Sequence, residues 1–429
     1  MNLKFEEFKK SSLVLEELDN IRSKSFEKFK KDGFPSKKLE NWKYTDLQSI
    51  ISNNFSNLQI FEDKKDKKDN NKFIIKNLEH NKVILLNGNF IESDFSFEEE
   101  KKISIKSLCS TFDNKEDFKK IKNYFYEEKN SMILLNHALT KDGIILEVTE
   151  NYSFNKPLII YNLFDKTADK KIINNKVFIS LGSNSSLSLI DFYKSEDEIK
   201  YLNNSNHNYT IDKDAILKKF SINANTDNSL NYNYTEVNIH SNSLFENFLL
   251  SLGSNLIKNE IHCNLLENFS SCFINGIMLL NENQHHELKT NVNHKYENCK
   301  SSQLIKSVLL DDSSGTYQGK IYVDKSAQKT NGYQLSKALI LSEKSEFNSK
   351  PELEIYADDV KCSHGSTSGN IDENSIFYLM SRGLTKEQAN KMIVKGFLNE
   401  VIETVTEKKI KPLIFELFNQ KINKIKIKI

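Results

Sequence analysis

The sequence predicts a mainly β chain with a helical region at each end. From about residue 142 to residue 358, short runs of alternating apolar and polar residues recur every ten or so residues. Residues 4–32 have apolar positions at helical spacing, and helix-start signals follow Asp372. So many strands without a clear break favour a solenoid, in which each coil buries its inner face against the next. A sandwich or a barrel has similar strand spacing, and no strict repeat is visible, so both remain open at this point.

The first predicted element is an amphipathic helix over residues 4–32, which Gly33 and Pro35 end. The segment 35–47 follows and contains Trp42, the only tryptophan of the chain. A large indole ring in such a connection predicts a structural anchor between elements.

Three further elements are predicted before the central region. Residues 61–72 are a charged loop, residues 83–90 form a strand that turns at a glycine, and residues 113–137 are helical. The predicted central strands share alternating apolar positions. They cover residues 144–148, 158–161, 176–181, 187–190, 220–224, 234–239, 245–252, 260–266, 273–278, 320–323 and 335–341.

Two helices are predicted at the C-terminal end. Asp372 is placed as the N-cap of the first, and Gly383 follows its last turn. The second begins with the capping-box pattern from Thr385 to Gln388. Pro412 then interrupts the pattern, and a short amphipathic tail follows.

Composition excludes several classes of protein. The 60 basic and 59 acidic residues nearly cancel, which argues against a nucleic-acid-binding protein. The five cysteines show no C-x-x-C spacing, a pattern typical of reduced thiols in a cytosol. No apolar run approaches the roughly 18 residues of a membrane helix, and the charged N-terminus lacks the apolar core of a signal peptide. We therefore expect a soluble cytoplasmic protein without a nucleic-acid or membrane partner.

The first candidate site is the pair Cys362 and His364, predicted to lie in a loop between a strand and a helix, with Gly365 and Gly369. Thiolate and imidazole are ligands that iron and zinc accept. A complete zinc or iron–sulfur site needs about four ligands, and no second pair has suitable spacing. By itself, the spacing favours a small buried thiol beside a hydrogen-bonded imidazole.

A second candidate is the histidine group His285, His286 and His294. His286 and His294 have the same parity, so both would face one way if no turn intervenes. Ordinary hydrogen-bonded histidines are the favoured interpretation here.

The string from Gly315 to Lys320, with a second glycine at Gly319, superficially resembles a phosphate-binding loop. That loop needs four residues between its glycines and a helix after it, whereas here one spacer is missing and a strand follows. We therefore expect no nucleotide site at this position.

Several strings closely resemble the SufB/SufD family of the SUF iron–sulfur cluster assembly system, and within it the SufD branch. They are DDVKCSHGST from Asp358, the helix that ends in Ser-Arg-Gly383, ENWKYT from Glu40, and T-x-V-x-H ending at His294. The resemblance implies a right-handed parallel β-helix. It also implies an N-terminal mainly helical region over 1–130 with a short strand segment, a β-helix core over 131–370, and a C-terminal helical domain over 371–429 that docks an ATPase. The family's signature positions, with structural roles, match Trp42, Tyr44, His286, His294, Gly315, Gly319, Gly365, Arg382 and Gly383.

For function, the resemblance implies a non-catalytic scaffold that pairs with a SufB-like paralogue and carries a SufC-like ATPase, with a homodimer as an expectation for the isolated chain. His364 would be the functional residue, with Cys362 nearby, in a metal site shared with SufB where a transient iron–sulfur cluster forms. Gly315 and Gly319 would form a tight turn between coils. SufB-type chains carry a sulfur-accepting cysteine where this chain has Leu335. The alternatives are a SufB-type cluster-building subunit and a self-contained metalloenzyme built on a β-solenoid.

Overall fold

The computed structural model describes residues 15–62, 73–125, 129–223 and 228–427. The first part of the helix predicted over 4–32, up to residue 14, and most of the charged loop over 61–72 lie outside the described residues. The described helices are α1 (Glu16–Asp32), α2 (Leu47–Asn54), α3 (Leu108–Phe112), α4 (Lys115–Ile121), α5 (Ser131–Leu139), α6 (Glu373–Ser381), α7 (Lys386–Glu403) and α8 (Lys411–Lys424). Short 3₁₀ turns cover Glu40–Trp42, Glu100–Lys102, Lys122–Tyr124 and Lys166–Ala168.

Twenty strands in the described part of the chain build the centre of the molecule. The first ten are β1 (Gln59–Ile60), β2 (Asn81–Leu86), β3 (Asn89–Asp94), β4 (Ile103–Ser107), β5 (Asp142–Val148), β6 (Leu158–Phe164), β7 (Lys171–Leu181), β8 (Ser186–Ser195), β9 (Leu202–Ile211) and β10 (Ile216–Asn223). The others are β11 (Leu230–Ile239), β12 (Leu244–Ser251), β13 (Leu256–Leu265), β14 (Ser271–Leu280), β15 (His285–His294), β16 (Lys300–Leu309), β17 (Ser314–Val323), β18 (Thr330–Ile340), β19 (Glu346–Ile355) and β20 (Val360–Gly369).

Consecutive strands from β5 onward alternate between two sheets. The first sheet has the order β19-β17-β15-β13-β11-β9-β7-β5-β4, with β1 also beside β7, and the second has the order β20-β18-β16-β14-β12-β10-β8-β6-β2-β3. Neighbours are parallel except for the pairs β2–β3 and β4–β5. One coil therefore contributes one strand to each sheet, and the predicted parallel β-helix is confirmed. The strand β2, from the N-terminal part of the chain, pairs with β6 and belongs to the same sheet.

The turns between coils use polar residues in the left-handed region. Asn184, Asn242 and Asp311 all have φ between 53° and 63°. Asn and Asp tolerate this conformation better than other residues with a Cβ. A chain with only 13 glycines can therefore still turn at the end of each strand.

The main apolar core fills the interior between the two sheets. It runs from Val83 and Leu85 in β2 to Tyr317 in β17 and Ala338 in β18. A second core lies between the outer face of the second sheet and α7 and α8. Within the described residues, no helix is long and apolar enough to span a membrane.

The predicted starts of the C-terminal helices are observed. The Asp372 side chain accepts hydrogen bonds from the backbone N–H groups of Asn374 and Ser375, and Thr385 forms a capping box with Gln388. β19 and β20 are the last strands of the two sheets in the described part of the chain, so no further coil covers this end of the solenoid.

Candidate functional site

Cys362 and His364 lie on a strand, which corrects the predicted loop. Every residue of β20 is in register with β18 over ten positions. Glycine and serine suggested a loop, but neither Gly365 nor Gly369 has positive φ. A Cβ at Gly365 would lie 3.3 Å from Leu335 Cδ1, so this glycine allows close packing of the last two strands of the sheet.

Both side chains face the interior of the last coil. Cys362 packs with Ile321 and Val323, and its Sγ lies 3.4 Å from the point where a Cβ on Gly332 would stand. His364 is two residues further along the strand, so it has the same direction. It is exposed because no later coil covers it. The pair therefore marks the open end of the solenoid.

This pair is an incomplete metal site. Cys362 is half-buried, and burial raises the pKa of its thiol. No group of three or more His, Cys, Asp and Glu residues in the described part of the chain could hold a metal ion. His364 makes no hydrogen bond within the described residues. Two soft donors without a third can take part in binding iron only if another molecule supplies the remaining ligands.

The two strands at the open end have different free edges. On β19, Pro351 removes one N–H, and Lys350, Glu352 and Glu354 are charged. Proline and charge on an edge strand discourage pairing with another chain. On β20, by contrast, the eight residues after Lys361 read CSHGSTSG, without proline or formal charge. The edge of β20 is therefore the surface better suited to strand pairing.

The hydrogen-bond alternation identifies the groups at this edge. The N–H of Asn331 bonds to the Cys299 carbonyl, so odd-numbered residues of β18 bond to β16 and even-numbered ones to β20. In the parallel ladder, the odd residues of β20 then bond back to β18. The N–H and C=O groups of Cys362, His364 and Ser366 consequently point to the free edge.

The second histidine group does not join this site. His286 and His294 share β15 and face the interior, as their parity predicts, and both are fully buried. The Nε2 of His286 lies 3.3 Å from the Ser254 carbonyl, and that of His294 lies 2.8 Å from Ser301 Oγ. His285 faces outward and bonds to Thr45 Oγ1 at 2.7 Å.

These histidines predict a loss of stability in acid. Burial lowers the pKa of His286 and of His294 to about 3, whereas an unfolded histidine titrates near 6.5. The unfolded chain therefore binds protons below pH 6.5 that the folded chain rejects, so stability falls as the pH drops from 6.5 toward 3. Each histidine costs about 2 kcal/mol at pH 5.

Urea unfolding of His294→Asn tests this expectation. Between pH 7 and pH 5, the variant should lose about 2 kcal/mol less than the wild type. Val292→Ala, a buried substitution on the same strand that removes no titratable group, is the control and should keep the wild-type pH dependence. Equal pH dependence in His294→Asn and the wild type would contradict the prediction.

Gly315 and Gly319 are not in a turn, which corrects the expectation taken from the family resemblance. Both lie inside β17, and neither has positive φ. A Cβ at Gly315 would stand 3.0 Å from Leu309 Cδ2, and one at Gly319 would collide with the Tyr317 hydroxyl and the Gln334 amide. These glycines make room for interior side chains.

The other signature residues have structural surroundings. Trp42 is buried and packs against Tyr232 at 5.3 Å between ring centroids. Tyr44 is half-buried. The guanidinium of Arg382 lies 5.2 Å from the ring centre of Tyr378. Gly383 has φ 95° and donates its N–H to the Met380 carbonyl, as expected after a helix.

Sequence reasoning missed a buried charge cluster under Trp42. Lys258 and Glu287 form an ion pair with both side chains fully buried, and the Lys258 ammonium lies 4.5 Å from the Trp42 ring centre. Thr45 donates to Glu287 through its hydroxyl, and Gln318 donates to the same carboxylate at 2.7 Å. Lys258 and Glu287 sit one coil apart on neighbouring strands, and only the register could have revealed this contact.

A second buried cluster was also missed, inside the solenoid. The Lys219 ammonium lies 3.4 Å from the Asp191 carboxylate, and His207 Nδ1 lies 3.5 Å from the same group. Burial lowers the pKa of His207 to about 4. The three residues come from β10, β8 and β9, so no local sequence pattern could predict that they form a cluster.

Comparison with known proteins identifies relatives along the chain. The model for the SufBD core domain of SUF system FeS cluster assembly matches residues 164–397, and the model for the SufBD protein N-terminal region matches residues 6–160. The iron–sulfur cluster assembly protein SufD of Escherichia coli is 23% identical over 393 residues, which cover 90% of this chain and 89% of that protein. Protein ABCI7, chloroplastic, of Arabidopsis thaliana is 24% identical over 412 residues, which cover 92% and 84% of the two chains.

A shorter match with higher identity comes from an iron–sulfur cluster assembly SufBD family protein of Pyrococcus horikoshii. It is 34% identical over 132 residues, which cover 31% of this chain and 29% of that protein. Since the core model alone spans more than half of a chain that folds as a parallel β-solenoid, this protein belongs to the SufBD family of iron–sulfur cluster assembly proteins.

Proposed function

We propose that this chain is a non-catalytic scaffold subunit of the SUF system with the SufD role. It pairs with a SufB-like paralogue, carries a SufC-like ATPase and helps to form a transient iron–sulfur cluster at the paralogue interface, in the cytoplasm. One observation carries the proposal: the open end of the solenoid presents Cys362 and His364 on an edge strand free to pair.

The incomplete ligand set supports a shared site. Cys362 and His364 offer one thiol and one imidazole, and the described residues provide no third ligand to complete them. An edge strand that pairs with a partner's strand would bring the partner's side chains to the same place. Iron and sulfide are then the cargo of the assembly, and the missing donors come from the paralogue.

The C-terminal domain, residues 371–429, is proposed to dock the ATPase, beside an N-terminal region over 1–130 and a solenoid core over 131–370. Its helix α6 exposes large apolar side chains, Phe377, Tyr378 and Met380. Exposed apolar residues that lie close together typically mark a protein contact. This surface is adjacent in sequence to the end of β20, so a motion of the ATPase would be transmitted to the edge strand.

The two alternatives are less well supported. Leu335 on β18 occupies the position where the family resemblance places a sulfur-accepting cysteine in SufB-type chains. Gly332, which is in register with Cys362, lies on the inward face of β18, and Leu335 lies on the opposite face. A self-contained metalloenzyme would need several ligands together, and His286 and His294 are buried elsewhere, on β15.

The test is anaerobic reconstitution of the co-expressed assembly of this chain with its SufB-like and SufC-like partners. We expect His364→Ala to copurify with both partners and to lose most of its iron and sulfide, because an imidazole at the shared site is gone. The matched control is Ser363→Ala, on the same strand but facing the opposite way. Equal cluster content in both variants, or failure of the wild-type chains to copurify, would overturn the proposal.

A further inference from the structure

Gln334 lies directly beside His364 inside the last coil. The two residues are in register on β18 and β20, and side chains on one face of neighbouring strands are about 4.8 Å apart. Gln334 is buried, at 3% exposure, although its side chain is polar. We propose that Gln334 is a positioning residue for His364, an inference that rests on the proposed function.

The amide of Gln334 has unused hydrogen-bonding capacity. Oriented to satisfy both neighbours, it donates to the Gly319 carbonyl at 3.1 Å and accepts from the Ile321 N–H at 3.2 Å. A primary amide has two N–H donors and two acceptor sites on its oxygen. One donor and one acceptor site are therefore left, and Gln303 and His364 are the polar side chains in register with Gln334 on the two neighbouring strands. The structure shows no hydrogen bond between Gln334 and His364, so the proposed bond forms when the exposed imidazole turns toward the amide.

Gly319 provides the space that this arrangement needs. A Cβ at residue 319 would collide with both the Tyr317 hydroxyl and the Gln334 amide group. The missing side chain therefore lets Gln334 reach across the interior to the backbone of β17. A glycine that resembled part of a turn is in this way connected to the candidate site.

A network behind Gln334 holds Tyr317 in place. The Tyr317 hydroxyl donates to Gln303 Oε1 at 3.0 Å, and Thr290 Oγ1 donates to the same oxygen at 2.5 Å. Tyr317 and Gln303 are fully buried. Because Gln303 and Gln334 are also in register, polar side chains occupy three consecutive coils that end at His364.

The chemical consequence concerns the protonation of the imidazole nitrogens. A neutral histidine has one nitrogen that donates and one that can bind a metal, and the partner of one nitrogen decides the role of the other. A hydrogen bond from Gln334 to one nitrogen of His364 would fix the tautomer and leave the second nitrogen for iron. Without it, the exposed ring would sample both tautomers.

Nuclear magnetic resonance of the chain labelled with ¹³C,¹⁵N-histidine tests this role, with the His364 signal assigned by comparison with His364→Gln. We expect Gln334→Met to change the tautomer ratio of His364 roughly 2- to 10-fold, the range of one net hydrogen bond. Leu335→Met, on the same strand but facing outward, should leave the ratio unchanged. An unchanged ratio in Gln334→Met would overturn the inference.

Two further measurements keep the test decisive. The signals of buried His286 and His294 report whether a variant is folded. If Gln334→Met is unfolded, Gln334→Leu replaces it, because leucine also lacks the amide and should produce the same change in tautomer ratio. A folded Gln334→Leu with the wild-type ratio would also overturn the inference.

Cluster content separates this inference from the proposed function. In the co-expressed assembly, Gln334→Met should reduce bound iron and sulfide less than His364→Ala does, with all subunits present. If His364→Ala keeps its full cluster while Gln334→Met still alters the His364 tautomer, the proposed function fails and the positioning contact stands. If His364→Ala loses the cluster but Gln334→Met leaves the tautomer ratio unchanged, the positioning role fails alone.

Discussion

Replacing Ser366 with proline is expected to weaken the proposed pairing of this chain with a SufB-like partner. The N–H of Ser366 points to the free edge of β20, so proline removes one donor from the proposed pairing surface. An acceptor left without its donor in a buried interface costs about 1–3 kcal/mol, which is roughly a 5- to 150-fold weaker complex. The proline ring would also occupy space that the partner strand needs.

The isolated Ser366→Pro chain should remain folded. Its missing N–H is not used in the ladder with β18, and proline is tolerated at such positions on edge strands. The preceding residue is Gly365, which has no Cβ to clash with the proline ring. Pro351 already occupies an equivalent edge position on β19.

The measurement is the dissociation constant between the separately purified chains, by calorimetry or analytical ultracentrifugation. Ser366→Ala is the matched control, because it removes the hydroxyl and keeps the N–H, and it should pair like the wild type. Wild-type affinity in Ser366→Pro would mean that the partner binds elsewhere, and the role of the β20 edge would have to be abandoned.

The periodic features were predictable from the sequence because their causes are local. Alternation of apolar residues predicted the strands, and Asp372 and Thr385 predicted the helices that they cap. The choice of a parallel solenoid needed the family resemblance, since a sandwich or a barrel produces the same alternation. The parallel pairing register between coils, which local sequence does not show, identifies the solenoid in the structure.

The errors concern small residues whose roles depend on neighbours in other coils. Gly365 suggested a loop, because glycine is common in loops, and the family resemblance implied a turn at Gly319. In the structure they lie in strands, where they admit Leu335 and Gln334 from adjacent coils. Side chains 30 residues away for Gly365 and 15 residues away for Gly319 decide these roles, so the roles could not be predicted from local sequence.

Replacing Lys258 with methionine is expected to destabilise the chain strongly. Lys258 and Glu287 are fully buried and paired, so methionine leaves a buried carboxylate without its counter-charge. Breaking one partner of a buried ion pair costs about 3–5 kcal/mol. Lys258 also donates to the Asn41 carbonyl at 3.3 Å and lies against Trp42, so the contact that holds the N-terminal segment weakens as well.

Urea unfolding monitored by tryptophan fluorescence measures this loss, because the single indole of Trp42 lies in the cluster. The surface control is Lys320→Met, which removes one side of the exposed pair with Glu354 and should leave stability nearly unchanged. A loss in Lys258→Met as small as in Lys320→Met would show that the buried pair contributes little.

A double variant and the pH dependence separate charge from packing. Lys258→Met with Glu287→Leu removes both charges of the closest pair and should recover part of the stability, because apolar residues replace buried ion pairs well. Buried Glu260 keeps Lys289 and His262 as partners in this variant.

In the wild type, burial raises the pKa of Glu260, but the charge of Lys258 opposes this effect and helps to lower that pKa to about 2. The folded single variant therefore binds a proton more readily than the folded wild type. Its deficit should shrink as the pH falls toward the ordinary carboxyl pKa. A deficit that stays constant with pH would assign the loss to the packing of the lysine stem against Trp42 instead of to the charge of the buried carboxylates.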